Sequence, residues 1–579
     1  MESPIDTAVL SKPQRKAFSK RSRTGCRTCR ARRVKCDESP GSCNNCTSTG
    51  RTCAYDMQRL PPGGGRKKTT AKAIVLSAPN GTSATIRAAI AAKFQWKVTS
   101  DESRCLSFFQ HRSVPQLVGY FDSPLWRELI LRLSCTEPAV YHAVVALGAV
   151  SQANEMAGRT PRPGQQHLLR NIWYGFALEQ SSRSFALIHK RRTSHDPQLQ
   201  EVILVCCLLF IICELLRGNV TEATFHLQGG LQILHTMNIE RRTSGLELSS
   251  GGVDECVVES FMNFQEGSIY YGLKEPLRFD SEFVYDRPYE TYLQPFQSLS
   301  YARRAFRPLQ HTGFELIATC MSASEAEIAS NYSTIHFQQH RLIALLTRYQ
   351  QALDDFCLHT FGTTSFTCPI MATSRNPARR KDFREVELTR LTCLALLLGL
   401  KTATYSKRQP PMPDRHLCER KSLMAAAQTV MRKFDGPDRP AFAPTSTIVA
   451  AVYIAAHVCP DHTFYCLASD LLRSWSSDEG FMSSTMNAKI LDESLKLYLA
   501  QVWRSAAPLP PGVTFTTDAA GCQVTAHLTY HADGVEKRRS MVLERDESLV
   551  VELRAIDNSR DWACSRALGL LERKSYCEG

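Results

Sequence analysis

Hydrophobic positions recur at helical spacing over most of the chain beyond residue 120. Ser123-Pro124 precedes LWRELILRL, and Thr136 with Pro138 precedes AVYHAVVALGAV. In both places a proline stands at the start of the pattern, where the N–H that it lacks would have no partner anyway. Helical spacing predicts further helices over residues 165–190, 198–217, 220–236, 300–322, 335–357, 382–404, 419–434, 443–457 and 463–474. The pattern predicts a large all-α body.

The most apolar segment of the chain, VILVCCLLFIIC, covers residues 202–213 and is hydrophobic on every face. A helix that crosses a bilayer needs about 20 such residues, which is more than this segment offers. We therefore predict a central buried helix in a soluble protein. Its cysteines, Cys206, Cys207 and Cys213, then act as small hydrophobic side chains.

Two segments depart from the helical pattern. Residues 513–544 alternate in polarity between turn signals, which predicts a short β-meander. Residues 59–104 contain Pro61-Pro62 followed by three glycines, then a basic cluster and sequence rich in Thr, Ser and Ala, which is typical of a linker. The helix-like part of this linker, residues 84–96, is shorter than two heptads, so no coiled coil is evident.

A group of six cysteines lies near the N-terminus, within residues 26–53. The spacing is C-x2-C-x6-C-x6-C-x2-C-x6-C, so the same half-motif occurs twice. A disulfide framework is the first alternative, but residues 1–23 contain no apolar run and no signal cleavage site. In a reducing compartment this spacing indicates a metal site. The six cysteines are Cys26, Cys29, Cys36, Cys43, Cys46 and Cys53.

Zinc is the metal that thiolates in a tetrahedral, redox-silent site favour. Two tetrahedral ions need eight ligand positions, which six cysteines supply if two of the sulfurs bridge. A binuclear cluster fits this count better than a single ion with two idle thiols. The segment has almost no aliphatic residues, so we expect zinc itself to fold it.

Positive charge is concentrated in the same part of the chain. Residues 1–72 hold 17 Lys or Arg against 5 Asp or Glu, a net charge of +12 out of the whole chain's +14. Between Cys29 and Cys36 the sequence is RARRVK, which we expect to form a short helix. This charge predicts contact with nucleic-acid phosphates. The basic residues in question are Arg30, Arg32, Arg33 and Lys35.

These residues resemble the fungal Zn2Cys6 binuclear-cluster DNA-binding domain, through C-x2-C-R-x-R-R-x-K-C-D followed by C-x2-C-x6-C. The resemblance implies that Cys26 and Cys43 bridge two Zn²⁺. One ion would then be completed by Cys29 and Cys36, and the other by Cys46 and Cys53. It also implies that a basic helix enters the major groove and reads a CGG-type triplet.

The resemblance assigns base contacts to Arg32 and Arg33. Arginine suits guanine, whose O6 and N7 it can hold with two hydrogen bonds. Arg30 and Lys35 would contact phosphates and fix the register on the duplex. Three segments of the body, residues 107–150, 213–234 and 457–484, are similar to the fungal-specific regulatory domain of the same family.

The sequence therefore predicts a nuclear, sequence-specific regulator of RNA polymerase II genes that binds duplex DNA. Co-regulators or the transcriptional machinery would contact the helical body, and a dimer is possible, although no coiled coil is evident. An enzyme fused to a zinc module is one alternative, but the sequence contains no phosphate-binding, dinucleotide-binding or metalloprotease motif. An RNA-binding or protein-interaction module is another, although it would lack aromatic residues to stack on unpaired bases.

We predict five regions. They are a basic N-terminal tail at 1–20, the DNA-binding domain at 21–58, the flexible linker at 59–104, the helical regulatory domain at 105–508, and a C-terminal tail with the β-meander at 509–579.

Overall fold

The structure is a computed structural model that describes most of the chain between residues 25 and 543. The described residues are 25–37, 43–53, 96, 98–159, 163–194, 196, 198–244, 254–269, 293–362, 377–405, 415–434, 439–504, 509–517, 524–532 and 534–543. The predicted tail at 1–20, the linker up to residue 95 and the segment beyond residue 543 lie outside this set.

Helices dominate the described residues, as the hydrophobic spacing predicted. The cysteine region contains α1 (Arg27–Ala31) and α2 (Asn44–Thr47). The body begins with α3 (Ser100–Phe108), a π-helical turn (Phe109–Ser113), α4 (Val114–Leu117), a second π-helical turn (Leu125–Leu129) and α5 (Ile130–Thr136). It continues through α6 (Pro138–Arg159), α7 (Pro163–Lys190), α8 (Leu199–Arg217), α9 (Val220–Ser244), α10 (Glu255–Ile269), α11 (Leu299–Ser322), α12 (Glu325–Ser330), α13 (Tyr332–Phe361), α14 (Pro377–Thr402), α15 (Leu417–Phe434), α16 (Ile448–His457), α17 (His462–Trp475) and α18 (Ser484–Arg504).

The predicted fold class, a small cysteine module with a large all-α body, is confirmed. The helix predicted at 443–457 is wrong at its start. Phe442 and Ala443 form a short strand, β1, which pairs in parallel with β2 (Asp478–Glu479), and Pro444 follows, so the helix begins at Ile448. The hydrophobic pattern did not predict α3, α10, α12 or α18, and α3 begins at Ser100, inside the predicted linker 59–104.

Two large hydrophobic cores hold the body together. The larger core takes side chains from α3 through α10, from α14 to α18 and from the C-terminal strands. The smaller core lies between α11, α13 and α14. Helix α14 serves both, because Leu388 and Leu391 enter the larger core while Leu396 and Leu400 enter the smaller one. A helix that is apolar on two faces is typical of a position between packed layers.

Helix α8 contains the apolar segment that was predicted to be central. Eleven of its side chains are buried, and it ends at Gly218, whose φ of 83° is the left-handed conformation of a helix C-terminus. By length and composition it is the one described helix that could span a membrane, yet 67% of its most apolar window is buried inside the fold. Cys206 and Cys213 lie in the larger core, as predicted.

The C-terminal strands form the predicted meander. Strands β4 (Val513–Thr517), β5 (Val524–Ala532) and β6 (Val535–Leu543) make an antiparallel sheet in the order β4-β5-β6. A second small sheet joins β1 and β2 to β3 (Met482–Ser483). Arg539 on β6 donates to Asp492 on α18 at 3.1 Å and to Asp470 on α17 at 2.5 Å. These bonds dock the meander against the last two helices of the body.

Candidate metal centre and nucleic-acid interface

The structure brings the cysteines of the two repeats together. Cys26, Cys29, Cys43 and Cys46 are fully buried, and their four Sγ atoms all lie within 4.8 Å of one another. Cys36 is also buried and lies in a second group with Cys43 and Asp37, whereas Cys53 is half-buried. The third hydrophobic cluster of the described residues consists of these cysteines alone. The described residues of this segment, 25–37 and 43–53, therefore form no aliphatic core, which agrees with the prediction that metal folds it.

The spacing between the sulfur atoms fits zinc. A Zn–S bond of about 2.3 Å in a tetrahedral site places two ligand sulfurs about 3.8 Å apart. The Sγ–Sγ distances are 3.7 Å for Cys26–Cys43, 3.6 Å for Cys26–Cys46, 3.5 Å for Cys29–Cys43 and 3.9 Å for Cys29–Cys46. Each repeat contributes two thiols to this quartet, so the chain holds soft ligands at tetrahedral spacing in a buried position.

Backbone hydrogen bonds repeat between the two half-motifs. The N–H of Cys26 donates to Sγ of Cys36 at 3.4 Å, and the N–H of Cys43 donates to Sγ of Cys53 at 3.3 Å. In both repeats, therefore, the first cysteine orients the third. The internal symmetry that the spacing indicated is thus present in the backbone as well.

The thiols differ in how readily they ionise. Burial raises the pKa of Cys29, Cys46 and Cys53. Burial also acts against ionisation of Cys26, but the N–H of Cys29 and the neighbouring thiols lower the pKa of Cys26 to about 7. Zinc requires thiolates, so its binding would release protons from Cys29, Cys46 and Cys53.

Helix α1 is shorter than the sequence predicted. We expected the basic residues to share one helix between Cys29 and Cys36, but α1 ends at Ala31 and only Arg30 of the four is helical. The N–H of Arg33 donates to O of Arg30, and the N–H of Val34 donates to O of Cys29, both at 3.1 Å. This pair of bonds is the Schellman motif, which ends a helix with a left-handed residue, here Arg33 with φ 59°.

Arg30, Arg33 and Lys35 are exposed around the cysteine cage. Arg32 is half-buried, and its Nη1 donates to O of Asn45 at 3.1 Å and to Oγ1 of Thr49 at 3.0 Å. Three of the four predicted DNA-contacting side chains therefore face solvent, whereas the fourth contacts the second repeat.

The cysteine spacing did not predict the polar side chains that join the two repeats. The carboxylate of Asp37 accepts the N–H of Asn44 at 2.9 Å and that of Asn45 at 3.4 Å. The side chain of Asn45 donates to O of Lys35 at 2.6 Å. The hydroxyl of Thr28 donates to O of Thr52 at 2.7 Å. The sequence offered one indication of such contacts, the 17-residue offset between the repeats, which places Thr49 at the position equivalent to Arg32.

The fold and the site together define a cysteine-rich metal module joined to a helical body. Residues 24–61 match the family described as the fungal Zn(2)-Cys(6) binuclear cluster domain, and residues 104–253 match the fungal specific transcription factor domain. The chain therefore contains regions similar to the zinc-cluster and regulatory domains of fungal Zn(2)-Cys(6) transcription regulators, and the resemblance inferred from the sequence is confirmed. The relatives of this chain are named as transcription regulators rather than as enzymes.

Several curated proteins are similar to this chain. The aspercryptin biosynthesis cluster-specific transcription regulator atnN of Emericella nidulans is 31% identical over 230 residues, which cover 37% of this chain and 35% of that protein. Transcription regulator lscL of Purpureocillium lilacinum is 27% identical over 212 residues, which cover 36% of this chain and 47% of that protein.

A shorter match is confined to a smaller part of the chain. The Zn(2)-C6 fungal-type transcription factor afumD of Aspergillus fumigatus is 50% identical over 50 residues, or 8% of this chain and 13% of that protein. The chain spans less than half the length of the first two relatives. No solved structure matches it.

Proposed function

We propose that this chain is a nuclear regulator of RNA polymerase II genes that binds a CGG-type triplet in the major groove of duplex DNA. The observation that carries the proposal is the exposure of Arg30, Arg33 and Lys35 on a cysteine cage whose sulfur spacing fits zinc. A rigid cage fixes where these cations point, which a basic tail would not do. The family matched by residues 24–61 supports the same function.

Two Zn²⁺ ions would complete the module, with Cys26 and Cys43 as bridging ligands. Cys29 and Cys36 would complete the first site, and Cys46 and Cys53 the second. The Sγ atoms of Cys26 and Cys43 lie 3.7 Å apart, the spacing of two ligands on a common ion. The Sγ atoms of Cys29 and Cys46, which this proposal assigns to different ions, lie 3.9 Å apart and would have to separate when both ions bind. Zinc supplies no chemistry here beyond holding the two repeats together.

The basic side chains divide into two roles in this proposal. Arg33 would hold the O6 and N7 of a guanine, because its fork of donors matches that edge of the base. Arg30 and Lys35, on either side of it, would contact phosphates and set the register. The helical body between residues 105 and 508 would contact co-regulators and provide any dimer interface.

The experiment is a selection of bound sequences from a random duplex pool with the zinc-loaded full chain. We expect enrichment of a CGG-type triplet, and a fluorescently labelled single strand of the same sequence should bind more weakly than the duplex. Arg33→Ala should weaken the binding free energy for the enriched site by about 1–3 kcal/mol and reduce the base preference at one position of that site. Arg30→Ala is the matched control and should weaken enriched and random duplexes equally. A pool without enrichment, or a preference for single strands, would contradict the proposal.

A further inference from the structure

Helix α2 is held at both ends by side chains from the other repeat. It has only four residues, Asn44–Thr47, and a helix of one turn is not stable on its own. At its N-terminal end the carboxylate of Asp37 accepts two backbone N–H groups, those of Asn44 and Asn45. At its other end the guanidinium of Arg32 contacts O of Asn45, one of the last carbonyls of the helix. Both contacts place a charge where the helix dipole favours it.

The contact of Arg32 joins equivalent positions of the two cysteine repeats. Thr49 stands 17 residues after Arg32, which is the offset between Cys26 and Cys43. Nη1 of Arg32 donates to Oγ1 of Thr49 at 3.0 Å, so the two equivalent positions of the repeat meet each other. The Thr49 hydroxyl in turn donates to O of Asn45 at 2.8 Å, which closes a small hydrogen-bonded ring.

This ring lies next to the metal ligands. Helix α2 carries Cys46, and Cys43 is its N-cap residue. Any movement of α2 relative to the first repeat would therefore change the distances from Cys26 and Cys29 to both thiols. Side chains that fix a helix bearing metal ligands hold those ligands in place, and their removal usually lowers metal affinity strongly.

We infer that Arg32 is a positioning residue that locks the second repeat onto the first for zinc binding, and that among the basic residues Arg33 reads the base. The part of this inference that concerns base reading rests on the proposed function. The part that concerns zinc does not, since it follows from contacts within the module.

The test compares conservative variants of the two arginines in the zinc-loaded full chain. Arg32→Lys keeps the positive charge but has a shorter side chain and lacks the planar guanidinium whose Nη1 donates to both acceptors. Zinc release to a colorimetric chelator should become faster by on the order of ten-fold, the value of one charged hydrogen bond. Arg33→Lys should release zinc at the wild-type rate, because the side chain of Arg33 is exposed.

Two variants of the acceptor keep the test decisive if Arg32→Lys fails to load zinc. Thr49→Val removes the hydroxyl that accepts the bond, whereas Thr49→Ser retains it. Thr49→Val should release zinc faster than wild type and Thr49→Ser should not. In the double variant of Arg32→Lys and Thr49→Val, the two effects should be less than additive, because the side chains share one contact.

Duplex binding supplies the second readout. Arg32→Lys should bind the enriched site and random duplex with equal fold-losses, while Arg33→Lys should change the preferred base. If Arg32→Lys instead changes the base preference and leaves zinc release unaltered, the inference is overturned. If the wild-type chain shows no sequence preference, the proposed function fails, and the zinc-release comparison still decides the role of Arg32.

Discussion

Arg33 and Gly50 occupy equivalent positions in the two cysteine repeats, and both have a left-handed backbone, with φ of 59° and 58°. In each repeat the N–H of this residue donates to the carbonyl three residues earlier at 3.1 Å, to Arg30 in the first and to Thr47 in the second. Glycine adopts this conformation at no steric cost, whereas an L-residue costs about 1 kcal/mol. The first repeat thus tolerates strain in order to carry an arginine at this turn, which indicates a functional role for the side chain.

Replacing this arginine should therefore separate stability from recognition. We expect Arg33→Gly to stabilise the zinc-loaded module by about 0.5–1 kcal/mol, because glycine relieves the strained φ, while the preference for the selected duplex is lost. The chelator concentration that removes half of the zinc measures the first effect, and competition between selected and random duplexes measures the second.

The matched control lies in the second repeat. A Cβ added at Gly50 meets no atom within 4 Å, so Gly50→Ala should cost only the backbone strain, about 1 kcal/mol, and leave the base preference intact. Should Arg33→Gly lose zinc more readily than wild type, the left-handed turn would not be a source of strain.

The sequence predicted the parts of the site that depend on local spacing, namely the cysteine set, its repeat and the basic stretch between Cys29 and Cys36. It did not predict where α1 ends, because the Schellman turn puts an arginine where glycine is the usual signal. It also could not predict the contact of Arg32, because the acceptors on Asn45 and Thr49 come into reach only after the second repeat folds back.

In the helical body, too, features set by local spacing could be predicted from the sequence, whereas long-range contacts could not. Helical spacing predicted most of the helices, because each buries one apolar face independently of which partner covers it. The polar contacts between segments that are distant in the chain carry no periodic signal. Tyr120 and Glu479, for example, are 359 residues apart in the chain and hydrogen-bonded in the fold.

Zinc content should distinguish bridging from non-bridging cysteines. We predict two zinc ions per full chain by elemental analysis, and Cys43→Ala should remove both, since Cys43 would serve each ion. Cys418→Ser, which changes an exposed cysteine of the body, should leave the zinc content unchanged. One zinc per wild-type chain would show that the six cysteines form a single site.

The stability of the body should fall as the pH rises because of Glu266. This carboxyl on α10 is buried, accepts a hydrogen bond from Gln310 at 2.6 Å and lies 3.9 Å from Nδ1 of His311. Burial raises the pKa of Glu266 from 4.5 to about 8. Between those two values the folded chain keeps a proton that the unfolded chain has lost, so the free energy of unfolding falls with rising pH across this window.

Glu266→Gln removes this titration while keeping a polar side chain of the same size. Its melting temperature relative to wild type should rise as the pH is taken from about 5 to about 9, by at least about 2 °C. Glu222→Gln on the exposed surface of α9 serves as the control and should show no such trend. A constant difference between Glu266→Gln and wild type across the pH range would mean that Glu266 is ionised in the folded protein throughout.

Helix α16 is capped at its start by Glu479, a residue that is 32 positions away from Thr447 in the chain. Thr447, the N-cap residue, makes no side-chain cap bond. Instead, Oε2 of the fully buried Glu479 accepts the N–H groups of Thr447 and Val449 at 2.8 and 3.0 Å, and Oε1 accepts the hydroxyl of Tyr120 at 3.0 Å. Glu479 thereby ties the strand β2 to α16 and to the segment before Leu125.

Glu479→Ala should leave all three donors buried without an acceptor and lower the free energy of unfolding by about 2–4 kcal/mol. Tyr120→Phe removes one donor and keeps the ring in place, so it should cost only about 1 kcal/mol. Urea unfolding of the full chain, followed by far-ultraviolet circular dichroism, measures both. Equal losses for the two variants would show that the tyrosine bond, rather than the two backbone bonds at the helix N-terminus, accounts for the contribution of Glu479. Glu479→Ala is expected to cost more because it leaves two backbone N–H groups at the helix N-terminus, as well as the tyrosine hydroxyl, without their acceptor. Tyr120→Phe removes one hydrogen bond.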